Sequence, residues 1–302
     1  MSCNREVRPT ENELRPTEWA KSWKDLVDLE RGFASPSQDL VFRGQTGPQW
    51  RLKTTLDRAC ETLGVEARDI PELEKNYLFQ DFKRSYAIHS PHLIPREDDT
   101  ILWLSLMRHY GAPTRLLDFT FSFCVACYFA LEDASGDSAV WVISKTWLTR
   151  EGERLLKERG FDRKFFESWR RREGKAYEKA FWDLEPPLRF VWATNPYILH
   201  QRLQTQQALH LSPGDVTLDF QQNLMAMKPS KADVLIVGLR ASCRVELLEG
   251  LRRAGVNRSV LFPGLDGFAQ SLRTKLALYL KLMGMEDTGA RHRYFGRWAP
   301  PR

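Results

Sequence analysis

The stretch Leu40-Val41-Phe42-Arg43-Gly44-Gln45 decides how this chain reads. Three apolar residues run straight into an arginine, a glycine and an amide, the pattern of a buried strand whose far end carries polar function. A guanidinium held there can fork onto a phosphate or a carboxylate. The glycine beside it carries no Cβ, so a ligand can approach the main chain. The plainer reading of the same residues is a strand-end arginine that closes a structural salt bridge.

Downstream, His109-Tyr110-Gly111-Ala112-Pro113-Thr114-Arg115-Leu116-Leu117-Asp118 is a sharp turn feeding a short apolar segment. Gly111 and Pro113 make the turn, and Thr114, Arg115 and Asp118 punctuate the segment with polar groups. Around these two stretches the periodicities alternate irregularly between helix and strand. Thr17 reads as the cap of a helix through Trp19, Trp23, Leu26 and Val27. Pro71 opens an amphipathic helix to Tyr86, and Asp98 and Asp99 open another to Met107. Phe121 to Leu131 is apolar all round, which predicts a buried helix. Strands are expected at Ala139–Ile143, Phe190–Thr194, Gln207–Leu211 and Val234–Leu239. Helices are expected at Pro196–Leu203, Ser242–Arg253 and Leu265–Leu282. This order predicts an α+β fold in a single domain, with short mixed strands surrounded by helices.

The composition is that of a globular protein: 302 residues, 42% hydrophobic and 28% charged. Net charge is +6, and of the 45 basic residues 31 are arginine, the planar side chain suited to phosphate and to stacking. No apolar run approaches the ~20 residues of a membrane span. Five cysteines without framework spacing fit reduced thiols, so the expected location is cytoplasmic. Cys124-Val125-Ala126-Cys127 lies inside the apolar helix with no second ligand pair at zinc-site spacing, which favours packing over a metal. Nucleophile elbow, phosphate-binding glycine loop and dinucleotide fingerprint are all missing from the sequence, so hydrolase, kinase and dehydrogenase readings lack their parts.

Beyond these residues the chain resembles the bacterial FRG-domain family, named for its Phe-Arg-Gly motif. Arg43 and its neighbours carry that motif, and the turn at Gly111–Asp118 follows it. Pro71–Tyr86 is similar to the family's acidic-then-aromatic helix, and Phe119–Ala130 to its helix ending Tyr-Phe-Ala. Arg202–Leu211 is similar to its Arg-Leu/Met-x-x-Gln-Gln segment, and Leu261–Gly267 to its closing signature. The resemblance spans about residues 20 to 285. It implies a domain over 17–285 with a charged helical insertion at about 149–183. A polar lead, 1–16, precedes it, and an arginine and aromatic tail, 286–302, follows. Ala208 and His210 depart from the family, which has glycine and an aromatic at these places.

A more distant similarity is to ADP-ribosyltransferases, in the order of a strand arginine, a polar turn and a late glutamine. That similarity implies NAD as cofactor and an intracellular macromolecule as acceptor, in the setting of a bacterial toxin or phage-defence effector. On this reading Arg43, Tyr110 and Gln206 are the catalytic residues. Arg43, Gly44, Gln45, Tyr110, Thr114, Arg115 and Tyr128 would hold NAD, and no metal is expected. At this late position these enzymes carry a Glu or a Gln; Gln206 supplies the amide, which cannot accept a proton as a base does.

The alternative is a non-enzymatic nucleic-acid-binding or regulatory module. Arg170, Arg171 and Arg172, beside Phe165, Phe166 and Trp169, interleave bases with aromatics, as do Arg291 and Arg293 beside Tyr294, Phe295 and Trp298. Such interleaving suits phosphate contacts with base stacking. An amphipathic helix with its aromatics buried is the plainer explanation of the first segment. A protein partner such as an antitoxin is also expected, and a membrane is not.

Overall fold

The computed structural model describes residues 14–34, 39–90, 94–196 and 201–283. Seven strands form one mixed sheet: β1 (Glu18–Ala20), β2 (Leu40–Gln45), β3 (Leu117–Thr120), β4 (Ser138–Ser144), β5 (Val191–Thr194), β6 (Ala208–Pro213) and β7 (Val234–Leu239). Their order across the sheet is β1-β7-β4-β2-β3-β6-β5, with β1 and β7 parallel and every other neighbouring pair antiparallel. Helices cover both faces, so the fold is α+β in one domain. None of the described helices is long and apolar enough to cross a membrane.

Alternation along β2 divides the core in two. Val41 points into a large cluster with Leu104, Trp141 and Phe190, while Phe42 points into a second with Phe123, Cys127 and Val140. The second face is closed by the helix Phe123–Leu131, buried almost throughout as its uniform apolarity predicts. Cys124 and Cys127 lie within it; burial and the neighbouring Glu30 push the Cys124 thiol up to about 12.

The first expected helix differs. Where one helix was expected from Thr17, the chain forms β1 and then the helix Trp23–Phe33, capped by Ser22, whose side chain accepts the Asp25 N–H. Trp19 and Trp23, four apart, mimic a helical face, but each packs on a glycine far along the chain. Trp19 lies on Gly238 of β7 and Trp23 on Gly250. The charged helical insertion expected at about 149–183 packs against the core. Lys145–Glu158, Arg163–Arg170 and Gly174–Phe181 bury Leu156, Phe165, Phe166, Tyr177 and Phe181, and Trp169 stacks on Trp192 at 4.6 Å.

Candidate functional site

Polar groups converge at the end of β2. Asp118 and His210 are directly opposed across β3 and β6, and His210 Nδ1 lies 3.1 Å from Asp118 Oδ1. His210 Nε2 lies 3.0 Å from Ser105 Oγ in the helix Thr100–His109. Arg108, three residues on and therefore on the same helix face, donates to Asp118 Oδ2 from Nε at 2.9 Å and Nη2 at 2.5 Å. Arg43 donates from Nη1 to the Asp118 carbonyl at 2.6 Å, and its buried Nε has no partner among the described residues.

The order Ser105–His210–Asp118 has the connectivity of a hydrolytic triad, but its exposed end is the wrong one. Ser105 is fully buried, whereas the Asp118 side chain is 37% exposed. A nucleophile there has no route to a substrate. The relay instead anchors Asp118 to the core. Burial pushes the Asp118 carboxyl up, but the His210 hydrogen bond and the Arg108 pair outweigh it and hold the group well below the ordinary carboxylate range.

Positive charge outnumbers this one acid. Arg43, Arg58 and Arg202 all lie within electrostatic range of both Asp118 and Arg108. Burial, together with neighbouring guanidinium charge, pushes Arg43 down to about 10 and lowers Arg58 and Arg202. Such mutual repulsion marks a site where positive charge is under-compensated.

Beside Arg202 the surface opens into a cavity of about 400 Å³ lined by His109, Gln201, Arg202, Arg258, Phe262 and Gln270, with Asp266 and Gly267 from the first turn of the helix Leu265–Leu282. The guanidinium carbons of Arg202 and Arg258 lie 4.4 and 4.3 Å from the centre of the Phe262 ring. Arg258 is paired with Glu132 at 2.6 Å, whereas Arg202 has no carboxylate partner among the described residues. Arginines stacked on a ring keep their N–H edges free for a ligand, and a helix N-terminus adds main-chain donors.

The residues expected to hold NAD do not gather into one cradle. Tyr110 alone is exposed, at 63%, and its ring lies edge-on to that of His109, a cavity-lining residue, with centroids 4.8 Å apart. Gly44 faces the Phe123–Leu131 helix instead of a ligand; a Cβ there would sit 2.1 Å from the Ala126 carbonyl oxygen. Gln45 is buried, donating to the Arg51 carbonyl and accepting from Trp141 Nε1 at 3.1 Å. Thr114 is buried, and Arg115 is buried in an ion pair with Glu74. Tyr128 is buried and donates to Glu132 at 2.8 Å. Gln206 donates to the Leu261 carbonyl at 3.0 Å. It also precedes β6, because Gln207 takes a left-handed φ of 47° where a strand was expected to begin.

The second set of expected contacts is placed differently as well. Phe165, Phe166 and Trp169 turn inward, so the interleaved segment offers no free ring. Arg170 lies near Glu153 and Arg171 pairs with Glu173, while Arg172 donates to the Pro196 carbonyl. Arg291 and Arg293 lie outside the described residues, as do 197–200 of the helix expected from Pro196. Arg108, Arg258 and Phe262 escaped the sequence reading. The four-residue spacing of Arg258 and Phe262 was the available signal, since it puts cation and ring on one helical face.

Searches of curated proteins and of solved structures return no match to the chain. Against family models, residues 38–139 match the FRG domain. The matched stretch is about a third of the chain, and Arg43, Arg108 and Asp118 all lie within it.

Proposed function

We propose that this protein binds a nucleotide in the cleft between His109 and Phe262, and that NAD is the nucleotide to test first. The observation that carries the proposal is the pair Arg202 and Arg258 stacked on Phe262 over an open cavity, with Arg202 lacking a carboxylate partner among the described residues. A pyrophosphate takes up positive charge that the neighbouring arginines otherwise leave in mutual repulsion. Tyr110, exposed beside the cavity-lining His109, offers a ring for a base or for nicotinamide.

The finer proposal is transfer of ADP-ribose to an intracellular macromolecule. In that step the nicotinamide–ribose bond breaks with its electron pair leaving on nicotinamide, and an acceptor atom bonds to the ribose carbon. Gln206 cannot take up the acceptor's proton. The reaction therefore suits an acceptor already ionised before it arrives, such as a phosphate.

Titration calorimetry with NAD tests the binding. Arg202→Ala is expected to weaken it by at least ~10-fold, the effect of losing a hydrogen bond to a charged group of ~1.5–3 kcal/mol. Absence of binding by the parent, or equal binding by the variant, refutes the reading. Incubation with labelled NAD and cell lysate then tests transfer, according to whether label appears on RNA, DNA or protein.

A further inference from the structure

The helix Leu265–Leu282 faces the wrong way for a helix at the margin of a domain. It turns Gly267 and Ser271 toward the body, and Gly267 approaches the Phe262 carbonyl closely enough to exclude a Cβ. Among its described side chains the large apolar ones look outward: Leu265, Phe268, Leu272, Leu276 and Tyr279, followed by Met283, are 47% to 79% exposed. At ~100° per residue these six fall within an arc of roughly 80°, one straight stripe along the whole helix. An uncovered stripe of this size is a contact surface in search of a partner.

We infer that the stripe pairs with the same stripe of a second copy of this chain, the two helices running antiparallel about a two-fold axis near Thr274. The spacing itself points there, because the stripe is close to palindromic about Thr274. Reversing it sets Leu265 against Met283, Phe268 against Tyr279, and Leu272 against Leu276. A surface that complements its own reversal is what an isologous two-fold contact requires. Antiparallel packing also opposes the two helix dipoles. The area agrees: with ordinary side-chain areas of ~150–250 Å², the exposed fractions leave on the order of 600 Å² uncovered per chain. Two copies then bury roughly 1,200 Å², the lower bound of specific interfaces.

Sedimentation or light scattering of the full chain tests this. The expected mass is twice the 35.2 kDa of one chain at ~100 µM, a concentration that saturates a micromolar dimer. Leu272→Lys and Leu276→Lys, each placing a charge near the axis, are expected to halve that mass with the thermal midpoint unchanged. A parent that stays monomeric at that concentration, or a dimer that survives both substitutions, overturns the inference.

Discussion

Arg43 holds Asp118 by its main chain, not by its carboxylate: the guanidinium reaches the Asp118 carbonyl oxygen at 2.6 Å, while Arg108 and His210 take the side chain. The link ties β2 to β3 just where their pairing, reduced to Phe42 opposite Thr120, gives out. Arg43→Ala should therefore cost about 1.5–3 kcal/mol, the range for a hydrogen bond from a charged donor, read as a shift in the urea midpoint. An unchanged midpoint would show that the two strands need no such tie.

Gly44→Ala should be more damaging than its size suggests. The added methyl meets the Ala126 oxygen at 2.1 Å and the Ala130 nitrogen at 2.5 Å, both main-chain atoms of a buried helix that cannot rotate away. A loss of about 3 kcal/mol or more is expected from overpacking. Denaturation that matches the parent within error is the contrary result.

Glu74 and Arg115 form an ion pair with both side chains almost wholly inaccessible. Arg115 also donates to the Phe181 carbonyl at 2.9 Å, so the pair joins two helical regions to the start of β3. Glu74→Ala leaves a buried cation uncompensated and should cost about 3–5 kcal/mol. Replacing both partners by apolar residues, Glu74→Leu with Arg115→Met, should recover much of that loss, which a denaturation series on the three variants measures.

Acid should unfold the parent partly through Asp118. Its folded-state pKa is depressed below the ordinary 3.8. The stability it contributes is complete above that value and is lost as pH falls below it toward the folded pKa. In Asp118→Asn this component is missing, so the decline of stability below about pH 4 should be shallower by up to one proton's slope. Parallel acid limbs for parent and variant would remove Asp118 from the account.

Much of the fold is legible in local pattern. Apolar alternation and runs locate β2, β4 and β7, the Asp98-Asp99 pair locates the helix that begins after Asp99, and uniform apolarity locates the helix Phe123–Leu131. Long-range partners are what local pattern lacks. Gly44 reads as an opening for a ligand until Ala126 and Ala130 arrive from another part of the chain. His210 is only a departure from the family's aromatic until the register of β6 against β3 sets it opposite Asp118. Arg115, read as a ligand contact, meets Glu74 only through the packing of a distant helix. Of the candidate site, Arg43 and Tyr110 stand out in the sequence, whereas Arg108 and Arg258 do not, because the residue each pairs with lies beyond its own helix.

The parallel pairing of β1 with β7 bears on how the chain is made. Val237 leaves the ribosome roughly 220 residues after its partner Glu18, a separation that makes their pairing slow as well as late. At ~5–20 residues per second, that wait lasts on the order of ten seconds or more. During it, Trp19 and Trp23 lack the glycines on which they finally rest. The two indoles thus depend on synthesis reaching Gly238 in β7 and Gly250 beyond it, and a pause before β7 prolongs the interval in which they are open to chaperones or to other chains.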